Sequence, residues 1–92
     1  MNARRVIIHG RVQGVGYRAW TAKTATRLSL QGWVRNRSDQ TVEAVFHGNE
    51  TALQEMLEAC KRGPMMARVD KIEFFAHPEA DFTDEFITKP TL

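Results

Sequence analysis

The sequence predicts an α+β domain in the order β-α-β-β-α-β, with a short fifth strand. Three observations point to it. Several short segments alternate apolar and polar residues with a period of two, and two longer segments carry apolar residues at helical spacing. These segments follow one another through short turns, with no repeat, low-complexity run or linker between them. A chain of 92 residues suits one domain, 1–92, with a modest core that buries roughly 60–65% of the unfolded surface.

The first strand runs from about Arg4 to Val12, with Val6, Ile8, Gly10 and Val12 on one face and Arg5, Ile7, His9 and Arg11 on the other. A helix follows over about Arg18 to Ser29, with Tyr17, Trp20, Thr24, Ala25 and Leu28 at helical spacing. Its start carries no Ser, Thr, Asp or Asn cap and no acid in the first turn, so the usual partners of its first N–H groups are missing. Gly32–Arg37 and Thr41–His47 read as an antiparallel hairpin. Gln40 follows Asp39 where glycine would favour the turn, so a residue held at positive φ there costs roughly 1 kcal/mol.

The second helix has the fullest set of signals. Asn49 caps it, Glu50 lies in its first turn, and Leu53, Met56, Leu57 and Cys60 form one stripe. Lys61 and Arg62 suit its C-terminus, and Gly63-Pro64 ends it. Ala67 to Ala76 is a fourth strand with Val69, Ile72 and Phe74 expected inward. A loop over His77 to Asp81, a short strand over Asp84 to Thr88 and a tail complete the chain. Two helices on one side of a mostly antiparallel sheet make a two-layer, ferredoxin-like sandwich of the split βαβ type. That architecture hosts many activities and specifies none of them.

Charge is unevenly placed. Residues 1–38 hold eight basic side chains and no acid, whereas residues 39–92 hold five basic and eleven acidic ones. The acid-free half suits an anionic ligand, with a phosphorylated small molecule and a nucleic acid equally compatible. The acids of the second half read as a solvated surface. A single cysteine, Cys60, excludes an internal disulfide, and with no secretory segment a cytoplasmic location is the expectation. No run approaches the roughly 20 apolar residues of a membrane span, so no membrane association is expected. His9, His47 and His77 fall on separate elements without metal-ligand spacing, and no metal site is expected. Cys60 lies on the apolar stripe and reads as a small core residue.

The stretch Gly10-Arg11-Val12-Gln13-Gly14-Val15-Gly16-Tyr17-Arg18 joins the first strand to the first helix. Two glycines one residue apart free the backbone to approach a ligand, and the helix N-terminus and Arg18 favour an anion at one spot. This reads as a phosphate cradle, against the simpler reading of a turn whose glycines only relieve sterics. It is no P-loop, because no Gly-Lys-Ser/Thr ends it. The partial dinucleotide pattern Gly14-Val15-Gly16-Tyr17-Arg18-Ala19 lacks the parallel two-half fold that such binding needs.

That stretch, together with Gly32-Trp33-Val34-Arg35-Asn36-Arg37-Ser38-Asp39, resembles the two signature segments of the acylphosphatases. Thr41-Val42-Glu43-Ala44, Gly63-Pro64 and Ala67-Arg68-Val69-Asp70 are also similar to that family in order and spacing, and the likeness runs from about Arg4 to Phe86. The resemblance implies hydrolysis of the carboxyl–phosphate bond of a small-molecule acyl phosphate, with no metal and no cofactor, and with inorganic phosphate as product and inhibitor. It implies Arg18 as the phosphoryl-binding side chain and Asn36 as the group that orients the attacking water. The backbone N–H groups of Gln13, Gly14, Val15, Gly16 and Tyr17 would hold the phosphate oxygens. A monomer is expected. The rival reading, an RNA-binding module of the same element order, needs aromatics on the open faces of its two central strands. The open faces expected here carry Ile7, His9, Arg11, Glu43, Val45 and His47, with no Phe, Tyr or Trp, so no nucleic-acid partner is expected.

Overall fold

The computed structural model describes residues 1–78 and 82–92. Seven elements follow in the expected order: β1 (Asn2–Arg11), α1 (Tyr17–Arg27), β2 (Gln31–Asn36), β3 (Val42–Gly48), α2 (Glu50–Arg62), β4 (Arg68–Ala76) and β5 (Phe86–Thr88). The strands form one sheet in the order β4-β1-β3-β2-β5. Every pairing is antiparallel except that of β5, which runs parallel to β2 along the sheet edge. Both helices pack on one face. There Val6, Ile8, Val34, Ala44 and Phe46 of the strands meet Tyr17 and Ala25 of α1 and Leu53, Met56 and Cys60 of α2. Among the described residues no helix is long and apolar enough to cross a membrane.

Local chemistry accounts for the ends of the elements. The Asn49 side chain accepts from the Ala52 N–H at 2.9 Å, as an N-cap does. Helix α1 ends in a Schellman arrangement: Leu30 N–H donates to Ala25 O, Ser29 N–H donates to Thr26 O, and Ser29 is left-handed at φ 59. The β2–β3 turn places Ser38, Asp39 and Gln40 between the strands, with Gln40 at φ 76. Asp39 Oδ1 accepts from both the N–H and the hydroxyl of Thr41, bonds that hold its carboxyl below the usual range.

Three expectations need correction. Phe74 pairs with Val6 and shares its face, yet it is 47% exposed, because β4 is the outermost strand on that side. The last strand is Phe86–Thr88, shorter than Asp84 to Thr88, and residues 79–81 of the expected loop lie outside the described residues. Glu43 is not a solvated acid but is only 4% exposed. Arg5 and Arg35 each donate to one of its carboxylate oxygens at 2.7 Å. Burial pushes this carboxyl up, and the two guanidinium hydrogen bonds outweigh burial and hold it below the usual range. On the same face, Arg5 lies over the ring of Phe75, while Arg35 and Lys89 lie over that of Trp33.

Candidate active site

The end of β1 and the start of α1 are fixed by buried side chains at Val12 and Tyr17. Between them the backbone makes no regular structure. Gly14 (φ 74) and Gly16 (φ 82) are both left-handed, and a Cβ at either would meet nothing within 4 Å. Backbone conformation, not crowding, therefore requires glycine at these two positions. Gly16 is the N-cap of α1 and has no side chain to offer.

Among the described residues, the N–H groups of Gln13, Gly14, Val15 and Gly16 find no acceptor in the chain. The first helical N–H to find one is that of Trp20, which donates to Gly16 O at 3.0 Å. A run of unpartnered amides leading into a helix N-terminus has the chemistry to favour negative charge.

The loop opens onto a cleft of about 310 Å³ lined by Val12, Gly14, Gly16, Tyr17, Arg18, Ala19, Asn36 and Thr88. Among the described residues no carboxylate lines it. Arg18, in the first turn of α1, is half-buried, and among the described residues no hydrogen bond or ion pair engages its guanidinium. Asn36 closes the end of β2 opposite the loop. Its Oδ1 is buried without a hydrogen-bond partner among the described residues, although buried polar atoms are almost always paired. Its backbone is held firmly, because Asn36 pairs with Val42 of β3 and accepts from the Leu92 N–H at 3.1 Å.

Of the residues singled out in the sequence, Gly14, Gly16, Tyr17, Arg18 and Asn36 line this cleft, and Gln13 and Val15 do not. Gln13 instead turns its side chain to the β2–β3 turn, where its Nε2 donates to Arg37 O at 2.8 Å and to Thr41 O at 2.9 Å. Val12, Ala19 and Thr88 line the cleft as well, and the sequence did not announce them. Thr88 arrives through the parallel pairing of Val34 with Thr88, which three residues of strand do not betray. Neither Tyr17 nor Cys60 offers an activated nucleophile. The Tyr17 hydroxyl donates to Cys60 O at 2.6 Å, and burial, with the contact to Cys60, raises its pKa well above the phenol range. Cys60 is buried in the core, and burial pushes its thiol up to about 12.

Comparison with known proteins extends the geometry. The family model described as Acylphosphatase matches residues 4–88. The chain is 52% identical over 82 residues to a protein of Acidiphilium cryptum named acylphosphatase, covering 88% of this chain and 90% of that one. Among solved structures it superposes on the acylphosphatase of Bacillus subtilis with a TM-score of 0.92 and 37% identity, covering 97% of this chain and 99% of that one. It also superposes on an acylphosphatase of Coxiella burnetii with a TM-score of 0.91 and 31% identity, over 96% and 92% of the two chains.

Proposed function

This chain belongs to the acylphosphatase family, hydrolases that act on acyl phosphates, and from that premise we propose that it splits the carboxyl–phosphate bond without metal or cofactor. The observation that carries the proposal is the shared cleft. A free guanidinium, an unpartnered carboxamide and the loop glycines Gly14 and Gly16 with their unpartnered amides line it, with no acid among the described lining residues.

Phosphoryl transfer demands positioning and charge stabilisation more than covalent chemistry. The loop amides from Gln13 to Tyr17 and the planar fork of Arg18 would hold the phosphoryl oxygens, a task that suits arginine better than lysine. Asn36, across the cleft, would hold the attacking water through its carboxamide. The water oxygen bonds to phosphorus as the bond from phosphorus to the acyl oxygen breaks, and that electron pair leaves on the carboxylate. A phosphoryl oxygen of the substrate takes the water's proton, so no protein base is needed. The products are a carboxylate and inorganic phosphate, and the latter competes for the same cradle. A lone buried thiol suits the reducing cytoplasm.

The test is hydrolysis of acetyl or benzoyl phosphate in EDTA, with inorganic phosphate as competitor. Turnover that survives chelation and is inhibited competitively by phosphate is the expected result. No turnover, or turnover indifferent to phosphate, overturns the reading.

A further inference from the structure

We propose that the Gln13 side chain is a positioning residue that sets the register between the phosphate cradle and Asn36. The inference rests on the hydrolytic reading above and assigns a part of it to a group outside the cleft. The loop from Gln13 to Gly16 makes no backbone hydrogen bond of its own through its N–H groups. The bonds from Gln13 Nε2 to Arg37 O and Thr41 O are the side-chain hydrogen bonds that join this loop to the β2–β3 turn among the described residues.

Their place is specific. Arg37 follows Asn36 in the chain, and Thr41 precedes Val42, the residue paired with Asn36 across the hairpin. The clamp therefore sits directly beside the rung that carries Asn36. Both carbonyls already accept a backbone bond, Arg37 O from the Gln40 N–H at 3.1 Å and Thr41 O from the Arg37 N–H at 2.9 Å. A carbonyl oxygen has two lone pairs, and the two amide hydrogens of Gln13 fill the second on each. The reverse amide orientation would set Oε1 against two carbonyl oxygens, so chemistry fixes which end points inward.

The consequence separates binding from chemistry. The cradle amides and Arg18 belong to one continuous segment and hold phosphate whether or not the hairpin is in register. The water held by Asn36 belongs to the other side of the cleft. Loosening the clamp misaligns the water against phosphorus and leaves the anion site in place.

The experiment compares wild type, Gln13→Met, Asn36→Ala and the double variant by kcat, KM, phosphate inhibition and thermal melting, with benzoyl phosphate as substrate. Gln13→Met is expected to lower kcat roughly ten- to a hundredfold while the phosphate inhibition constant stays within about twofold. The double variant should lose little beyond Asn36→Ala alone, because the clamp acts through Asn36. An unchanged kcat, losses that multiply in the double variant, or phosphate affinity that falls in step with kcat would each overturn the assignment. Gln13→Glu covers the case in which Gln13→Met fails to fold. Its carboxylate repels both carbonyls, and its protonated form donates one hydrogen again. Its rate relative to wild type should therefore rise severalfold as pH falls from about 7 towards about 4.5, and a flat ratio counts against the clamp. A wild type without turnover sinks this inference together with the function; a wild type with normal turnover beside an unaffected Gln13 variant sinks this inference alone.

Discussion

Tyr17→Phe tests how the two helices hold the cleft. Tyr17 opens α1 directly after the Gly16 cap, is 1% exposed, and donates its hydroxyl to Cys60 O in the last turn of α2. The helical partner of that carbonyl would be the N–H of residue 64, which is Pro64 and has none. The phenol of one helix thus completes the C-terminus of the other. Its raised pKa keeps it a neutral donor at any working pH. Gly63 makes room for this contact: it lies at φ 67, and a Cβ there would come within 2.6 Å of the Tyr17 ring.

Removing the hydroxyl leaves a buried carbonyl unpaired, a cost of about 2 kcal/mol. For a chain of 92 residues that corresponds to a fall in Tm of roughly 8–16 °C. The ring and the backbone of the first helical turn remain, so kcat/KM at a temperature where the variant is folded should stay within about threefold of wild type. Urea unfolding followed by tryptophan fluorescence supplies the first number, because Trp20 packs edge-on against Tyr17 at 5.3 Å. Initial rates on benzoyl phosphate supply the second. A stability change below about 0.5 kcal/mol would refute the capping role. A collapse of kcat/KM in folded protein would show that the hydroxyl acts in the cleft instead.

Arg18→Ala is expected to lower kcat/KM at least about a hundredfold and to weaken phosphate inhibition, whereas Asn36→Ala lowers kcat and leaves phosphate inhibition nearly intact; steady-state kinetics with phosphate as inhibitor checks both. Glu43 has a depressed folded-state pKa, so its contribution to stability is present at neutral pH and lost as pH falls through that value. Glu43→Gln should therefore cost about 1–3 kcal/mol at pH 7, because Arg5 and Arg35 keep partial access to water, and cost less in acid; urea titrations at about pH 7 and about pH 3 measure the difference. Ser29→Gly and Gln40→Gly relieve left-handed residues and should each stabilise by about 0.5–1 kcal/mol, read as a shift of the urea midpoint at constant slope.

The fold was legible where burial leaves a period. The strands were legible from their apolar runs, although β1 and β3 at the centre of the sheet are buried on both faces, and α2 shows its stripe, cap and stop because each is a local device. Legibility failed where the deciding partner is distant in sequence. Phe74 reads as inward by alternation, and only the sheet order, which leaves β4 at the edge, exposes it. Glu43 reads as one more surface acid until Arg5 and Arg35 converge on it from the strands on either side. Ser29 reads as an ordinary helix end because serine there carries no sign of a left-handed turn.

The cleft divides along the same line. Gly14, Gly16 and Arg18 fall within five consecutive residues, so their chemistry could be read as a string, and Asn36 stood out through the resemblance of its segment to a known family. What the string cannot express is the tie between the two segments. Gln13 was singled out for its backbone N–H, yet its side chain spans 24 positions to reach Arg37 and 28 to reach Thr41. A glutamine beside two glycines has the length for several partners, and only the docking of the β2–β3 turn against the loop selects these two carbonyls. The physical order is therefore core, then hairpin, then loop, then site. The sheet fixes the Asn36–Val42 rung, the turn beyond it presents two carbonyls, and the glutamine clamps the glycine loop to them. On the proposed mechanism, the glycine loop and the Asn36 carboxamide come into register only when those steps have been taken.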